Sequence, residues 1–277
     1  MLPTFLLIGA MKAGTTSLAR YMGAHPEVFM TRPKEPGFFN PSRNWERGLD
    51  WYQGLFASAR PDQVRGEAST SYTMAPHVPG VPDRIAGVVP DVKFVYLIRH
   101  PVDRIRSMYK HLVDRGEELV PIAQAVRQRP TYLDISRYGF QLDQYLAVFP
   151  RERILVVSSD DLRHRRAESL ASIFAFLGVD PDVELAVTAE EFHRGEEKRR
   201  IYPAMEGVRT LLRRTGVMTK VPKDLKWRAR TTLSTPVPEE RTHLDEETTE
   251  YVWSALVPDL ARLREILGPD FYLWGRA

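Results

Sequence analysis

The stretch Phe5-Leu-Leu-Ile-Gly9-Ala-Met-Lys12-Ala13-Gly14-Thr15-Thr16-Ser17 carries the most chemistry in the chain. An apolar run leads into a loop bounded by two glycines, and the loop opens onto a helical pattern. Free N–H groups at a helix start, together with the helix dipole, attract an anion. Gly9 and Gly14 let backbone approach such a ligand closely. Lys12 adds a point charge, and Thr15, Thr16 and Ser17 add hydroxyl donors. The expected ligand is a phosphate or sulfate; a plain strand-to-helix turn with a cap is the alternative. The spacing is not that of a Walker A loop, which needs four residues between its glycines and a lysine directly after the second. Here Lys12 precedes the second glycine. Nor does an apolar run end in an aspartate suited to magnesium: Asp91 precedes its strand, and Asp160 and Asp161 lie beyond theirs.

A second stretch repeats the logic. Lys93-Phe-Val-Tyr-Leu-Ile98 is an apolar run, Arg99 stands at its end, and Pro101 opens a helix, where its missing N–H costs nothing. Ligands of open α/β sheets collect at that carboxyl edge. Ser107 follows two helical turns later, so Arg99 and Ser107 suit a clamp on one phosphate; a structural ion pair is the alternative for Arg99. Two such edges suit a ligand with two separated anionic groups. A carboxylate at a strand end suits a general base, and Glu67, at the end of the run Val64–Gly66, is such a candidate, with an exposed glutamate or an arginine partner as the alternative; His77 and His111 are the rival bases.

These residues need a scaffold. Four short apolar runs read as buried strands: Phe5–Ile8, Val64–Ala68, Lys93–Ile98 and Arg153–Val157. Helical patterns alternate with them at Gly14–Gly23, Pro101–Arg115, Leu142–Phe149, Ala167–Leu177 and Glu246–Leu267, the last closed by Gly268. That alternation predicts an α/β fold with a central parallel sheet flanked by helices and a P-loop-like nucleotide site. No linker or repeat divides the chain, so one domain over 1–277 is expected. Residues 206–236, basic and poor in strand signal, read as a mobile lobe over the acceptor site.

Composition bounds the partners. The 277 residues are 43% apolar and 27% charged, which is ordinary for a globular protein and excludes wholesale disorder. With 39 basic and 36 acidic residues the net charge is only +3, which argues against a nucleic-acid binder. Eight of the basic residues are lysine and the rest arginine, whose planar fork suits phosphate and sulfate. There is no cysteine, which removes disulfides, thiolate metal sites and a Cys nucleophile. No cluster of carboxylates or histidines has metal-ligand spacing. The first residues, Met-Leu-Pro-Thr-Phe-Leu-Leu-Ile-Gly, lack a basic n-region and a long apolar run, so a cytoplasmic protein without stable membrane insertion is expected.

Both anion-site stretches resemble the PAPS-dependent sulfotransferases, in particular the glycan-type branch related to heparan sulfate sulfotransferases. Gly9–Leu18 matches that family's Gly-x-x-Lys-x-Gly-Thr-[Thr/Ser]-[Ser/Ala]-Leu loop, and Arg99, Pro101 and Ser107 match its Arg-x-Pro element with a serine eight residues beyond the arginine. Pro33-Lys34-Glu35-Pro36-Gly37-Phe38-Phe39 resembles its Lys-Glu-x-x-Phe-Phe segment. Gly66-Glu67-Ala68-Ser69-Thr70-Ser71-Tyr72 resembles its Glu-Lys-[Ser/Thr]-x-x-Tyr segment, with alanine where lysine is common. Lys198-Arg199-Arg200-Ile201-Tyr202-Pro203 resembles its Lys-Gly-Arg-x-His-Pro loop, and Leu260–Gly268 followed by Trp274 resembles the closing helix of bacterial members.

The resemblance implies in-line transfer of a sulfuryl group from PAPS to a hydroxyl or amine of a glycan, glycolipid or secondary metabolite, with release of PAP and no metal. It implies that Lys12, Ala13, Gly14, Thr15, Thr16 and Ser17 hold the 5′-phosphosulfate, that Arg99 and Ser107 hold the 3′-phosphate, and that Arg199 and Arg200 lie over the nucleotide. It implies Lys12 beside the bridging oxygen, Glu67 as general base, and Lys34 on the sulfuryl group or acceptor. Tyr138 is read either beside the adenine or 3′-phosphate or as a core tyrosine. Trp45, Trp51 and Tyr52 are read either as an acceptor pocket or as core. A P-loop kinase or NTPase and a non-catalytic nucleotide-binding module are the rival readings.

Overall fold

A computed structural model describes residues 1–185, 199–201, 234–236, 239–271 and 273–274 of the chain. They form two compact units, Met1–Arg104 with Thr131–His193 and Val252–Ala277, and Ile105–Pro130 with Arg194–Tyr251.

The first unit is built on five strands, β1 (Phe5–Gly9), β2 (Val28–Met30), β3 (Val64–Ala68), β4 (Lys93–Ile98) and β5 (Ile154–Ser158). All pair in parallel in the order β2-β3-β1-β4-β5. β1 is buried along its whole length and β4 from Phe94 onward. This is why both read as unbroken apolar runs: a parallel sheet covered on both faces has no polar side to show. The covering and connecting helices run in chain order as α1 (Thr15–Met22), α2 (Gly48–Gly54), α3 (Val81–Ala86), α4 (Pro101–Arg115), α5 (Ile122–Gln128), α6 (Thr131–Asp134), α7 (Tyr138–Leu146), α8 (Ser159–His164), α9 (Arg166–Leu177), α10 (Glu239–Thr242) and α11 (Glu246–Leu267). α1 buries Thr15, Leu18, Tyr21 and Met22, the single stripe that helical periodicity allows. The second unit contains α5, α10 and an antiparallel pair, β6 (Arg199–Ile201) with β7 (Ser234–Pro236).

The strand order fixes where a ligand belongs. From β1 the chain moves toward β2, whereas from β4 it moves the other way, to β5. The connections of these adjacent strands therefore diverge and leave a crevice at their carboxyl ends, the topological switch point of an open α/β sheet. The glycine-bounded loop follows β1 and Arg99 follows β4, so the two anion-site stretches meet there.

Several short elements, among them α2, α3, α5 and α8, were not expected, and two differences are instructive. β2 has three residues, too few for a periodic signal. α7 starts at Tyr138, four residues before the expected start, because Gly139 lies in its first turn. Of the expected lobe 206–236, only β7 falls among the described residues. Among those residues no helix is long and apolar enough to cross a membrane.

Candidate active site

The loop after β1 is shaped by backbone that most residues avoid. Gly9 has φ 157° and Gly14 φ 104°. A Cβ on Gly9 would stand 2.0 Å from Thr73 Oγ1, so only glycine fits. Lys12 is itself left-handed, at φ 72°, a conformation that costs a non-glycine residue roughly 1–2 kcal/mol. Residues held in such regions cluster at ligand clamps. Gly14 is the residue before α1 and has no side chain to cap it, so the helix start faces the crevice with backbone N–H groups. Thr15 and Ala13 are buried, and Thr16 and Ser17 are half-buried beside them.

β4 closes the loop from the other side. Ala10 N–H donates to the Leu97 carbonyl at 2.6 Å, and Arg99 Nη1 donates to the Lys12 carbonyl at 3.3 Å. One lysine and one arginine thus stand at adjacent strand ends. Tyr138 is buried in the core, and its hydroxyl donates to the Arg99 carbonyl at 2.7 Å. Burial pushes its phenol up to about 12, so it remains a donor at every working pH. Ser107 lies half-buried on α4.

The end of β3 carries the third part. Glu67, expected to take a proton from the acceptor, is enclosed. The side chain is 0% exposed. Its Oε1 accepts from the Tyr52 hydroxyl at 2.9 Å and the Tyr72 hydroxyl at 2.6 Å, and its Oε2 accepts from the Ser69 hydroxyl at 2.6 Å. Burial raises its pKa, the three hydroxyl bonds oppose that rise, and the Glu35 charge adds to it. Those hydroxyls are also acceptors. Gly37 N–H donates to Ser69 Oγ at 2.9 Å and Phe39 N–H to Tyr72 Oη at 3.2 Å. Glu67 therefore orients two hydroxyls that pin the loop Lys34–Phe39. It is a buried hub of this loop, with both carboxylate oxygens engaged.

The loop it pins presents a different carboxylate, which sequence reasoning passed over while noting Lys34 beside it. Glu35 has φ 61°, and its N–H donates to the Ala68 carbonyl at 2.9 Å, hanging it on the end of β3. Its side chain is 34% exposed. Lys34 Nζ donates to Glu35 Oε1 at 2.8 Å, Thr70 Oγ1 donates to the same oxygen at 3.3 Å, and Arg43 Nη1 lies 3.9 Å from Oε2. The signal in the sequence was Pro33 and Pro36, which bracket a Lys-Glu pair and preclude helix there.

Tyr52 is core: it stacks on Phe38 at 4.1 Å with the rings 7° apart, and Trp45 and Trp51 pack half-buried around Phe38. His77 Nε2 pairs with Asp134 Oδ2 at 2.9 Å, and His111 lies on α4. Arg199 and Arg200 lie in β6; Lys198, Tyr202 and Pro203 lie outside the described residues. Among the described residues no group of three His, Asp or Glu is placed to hold a metal ion.

Residues 2–200 match the family model described as the sulfotransferase domain. The chain belongs to the sulfotransferase family. This sulfotransferase is 30% identical over 202 residues to human bifunctional heparan sulfate N-deacetylase/N-sulfotransferase 2, a match covering 65% of this chain and 22% of that protein. It is 32% identical over 185 residues to mouse heparan sulfate glucosamine 3-O-sulfotransferase 6, covering 64% and 52%. It therefore spans about half or less of the length of these relatives. Among solved structures, a sulfotransferase from Alicyclobacillus acidocaldarius superposes with a TM-score of 0.70 at 25% identity, covering 98% of both chains. The chain is thus related to the heparan sulfate sulfotransferases and has the P-loop-like sulfotransferase fold.

Proposed function

We propose that the two units form one sulfotransferase domain that moves a sulfuryl group from PAPS to a hydroxyl or amine of a saccharide-bearing acceptor and releases PAP. The observation that carries this reading is the meeting, at one switch point, of an uncapped helix start with Lys12 and a second strand end with Arg99. PAPS has two separated anionic groups to fill them. When bound, it supplies a sulfuryl group whose bond to the 5′-phosphate breaks as the acceptor's oxygen or nitrogen bonds to sulfur.

The chain's own residues supply charge and position. Transfer of this kind demands little covalent chemistry from the protein and much electrostatic stabilisation. Lys12, the N–H groups of Gly14 to Thr16 and the Ser17 hydroxyl face the phosphosulfate, where negative charge grows on the leaving oxygen; the Ser17 N–H itself donates to the Gly14 carbonyl at 3.0 Å. Lys34 faces the equatorial sulfuryl oxygens. Arg99 and Ser107 take the 3′-phosphate, and the resemblance assigns Arg199 and Arg200 to the nucleotide. Tyr138 acts through the Arg99 carbonyl. Glu35 takes the acceptor's proton, replacing Glu67 in that role, because its carboxylate is at the surface of the sheet edge beside Lys34. The names of the relatives favour a glycan acceptor over a glycolipid or secondary metabolite.

The test is thermal protection. At about 100 times its Kd a ligand adds roughly 2.7 kcal/mol to stability, which for a chain of this size is on the order of 5 °C in Tm. PAP raises Tm by that amount, and ATP with Mg²⁺ at equal concentration does not. The reverse pattern identifies a kinase or NTPase. PAP binding without transfer from radiolabelled PAPS to any acceptor in a glycan screen identifies a binding module.

The two phosphate sites separate in a second measurement. Adenosine 5′-phosphate lacks only the 3′-phosphate of PAP. Arg99→Ala and Ser107→Ala each weaken PAP by roughly 10-fold or more, the value of a charge-assisted hydrogen bond, and leave adenosine 5′-phosphate nearly unchanged by calorimetry. Equal losses for both ligands place the 3′-phosphate elsewhere.

A further inference from the structure

α7 begins at the residue whose hydroxyl holds the Arg99 carbonyl, and the start of α7 is fixed from far away. The preceding residue, Arg137, provides no side-chain cap. Instead Asp259, on α11, accepts from Gly139 N–H through Oδ2 at 3.0 Å and from Phe140 N–H through Oδ1 at 2.7 Å. Helix caps ordinarily come from the residue just before the helix; this one is 120 residues distant. The approach is close enough that a Cβ on Gly139 would lie 2.7 Å from the Asp259 carbonyl oxygen and 3.1 Å from Leu263 N. The Tyr138 ring is boxed in by Tyr96 at 6.0 Å and Trp274 at 6.1 Å, and the Trp274 indole donates to Asp160 at 2.9 Å.

We propose that Asp259 is a positioning residue for the 3′-phosphate site: its carboxylate fixes the start of α7, Tyr138 transmits that position to the Arg99 carbonyl, and Arg99 is thereby aimed. The inference rests on assigning Arg99 to the 3′-phosphate. The chemistry of Asp259 supports it. Burial pushes its carboxyl up to about 6; the Phe140 and Gly139 N–H groups and the Arg137 charge pull it down, and the Asp143 charge adds to the rise. Keeping such a group ionised costs stability near neutral pH, and a short helix could be capped locally without that cost. What the distant carboxylate adds is registry between α11 and Tyr138.

A double-mutant cycle with two ligands tests this. Asp259→Asn and Tyr138→Phe each weaken PAP by about 3–10-fold, as the loss of one or two hydrogen bonds implies, while adenosine 5′-phosphate binding changes little. Because the two residues act in series, the double variant loses no more than the worse single variant. A merely structural role for Asp259 lowers Tm and weakens both ligands alike, which overturns the proposal. Additive losses overturn it as well. If Asp259→Asn does not fold, Tyr138→Phe decides alone: a folded variant that keeps the full preference for PAP sinks the chain of contacts. If Arg99→Ala removes that preference while the Asp259 and Tyr138 variants keep it, this inference fails and the 3′-phosphate assignment stands. If Arg99→Ala also keeps it, the assignment itself fails.

Discussion

Lys12→Ala lowers the rate of sulfuryl transfer by about 10²–10³-fold, the usual effect of removing one preorganised donor from a developing oxyanion. It also weakens PAP by roughly 1.5–3 kcal/mol, the range for a charged hydrogen bond. The variant is a clean probe because alanine and lysine both carry a Cβ and meet the same strain at φ 72°. The loop geometry and the Arg99 contact to the residue-12 carbonyl both belong to backbone that the substitution leaves in place. What is lost is the ammonium group. The rate effect exceeds the binding effect, since the leaving phosphate carries more charge in the transition state than in bound PAPS. Lys12→Arg restores binding better than rate, because a planar guanidinium cannot occupy the place of a compact ammonium. Single-turnover rates with saturating PAPS, and calorimetry with PAP, measure the two effects separately. An unchanged kcat in Lys12→Ala removes the loop from the transfer site.

The parts of this site that are contiguous in sequence were legible there. A buried strand, two glycines with demanding φ angles, a lysine and a helix start all fall within Phe5–Ser17, and each leaves a local mark. Val64–Ala68, Lys93–Ile98 and Pro101–Arg115 are elements over the expected residues, since buried parallel strands are apolar throughout and proline marks a helix start. What stayed hidden was anything decided by tertiary contact. Glu67 looked like a base because a carboxylate at a strand end can face a cleft. Only folding brings the hydroxyls of Tyr52 and Tyr72 onto it, and Tyr52 belongs to a different element, α2. Gly139 concealed the first turn of α7, since glycine reads as a helix breaker unless another backbone is known to press on it. The Asp259 cap has no sequence signature at all.

The same contrast yields the sharpest test of the chemistry, a comparison of Glu35→Gln with Glu67→Gln. Glu35→Gln keeps the size of the side chain and its anchoring N–H to the Ala68 carbonyl, but an amide cannot accept a proton near neutral pH. Turnover falls by about 10²–10⁴-fold, the contribution of a positioned general base, and the acid limb of the kcat/KM profile disappears with it. PAP affinity stays near the wild-type value, since the carboxylate faces the acceptor. Glu67→Gln behaves differently. Its amide nitrogen presents hydrogens where a hydroxyl now donates, so that hydroxyl must turn from donor to acceptor and its own proton loses its buried partner. That costs roughly 1–3 kcal/mol of stability and lowers Tm, and it loosens the Lys34–Phe39 loop through Gly37 and Phe39. KM for the acceptor rises, but the acid limb survives because the base is still present. Transfer rates from pH 5 to 9 with a fixed acceptor, together with melting curves, separate the two variants. A Glu35→Gln enzyme with near-wild-type turnover and an intact acid limb excludes Glu35 as the base. Should Glu67→Gln remain folded and lose that limb, the buried carboxylate must open to the acceptor during turnover. If both variants keep the limb, neither carboxylate is the base, and His77, paired with Asp134, and His111 are the candidates left.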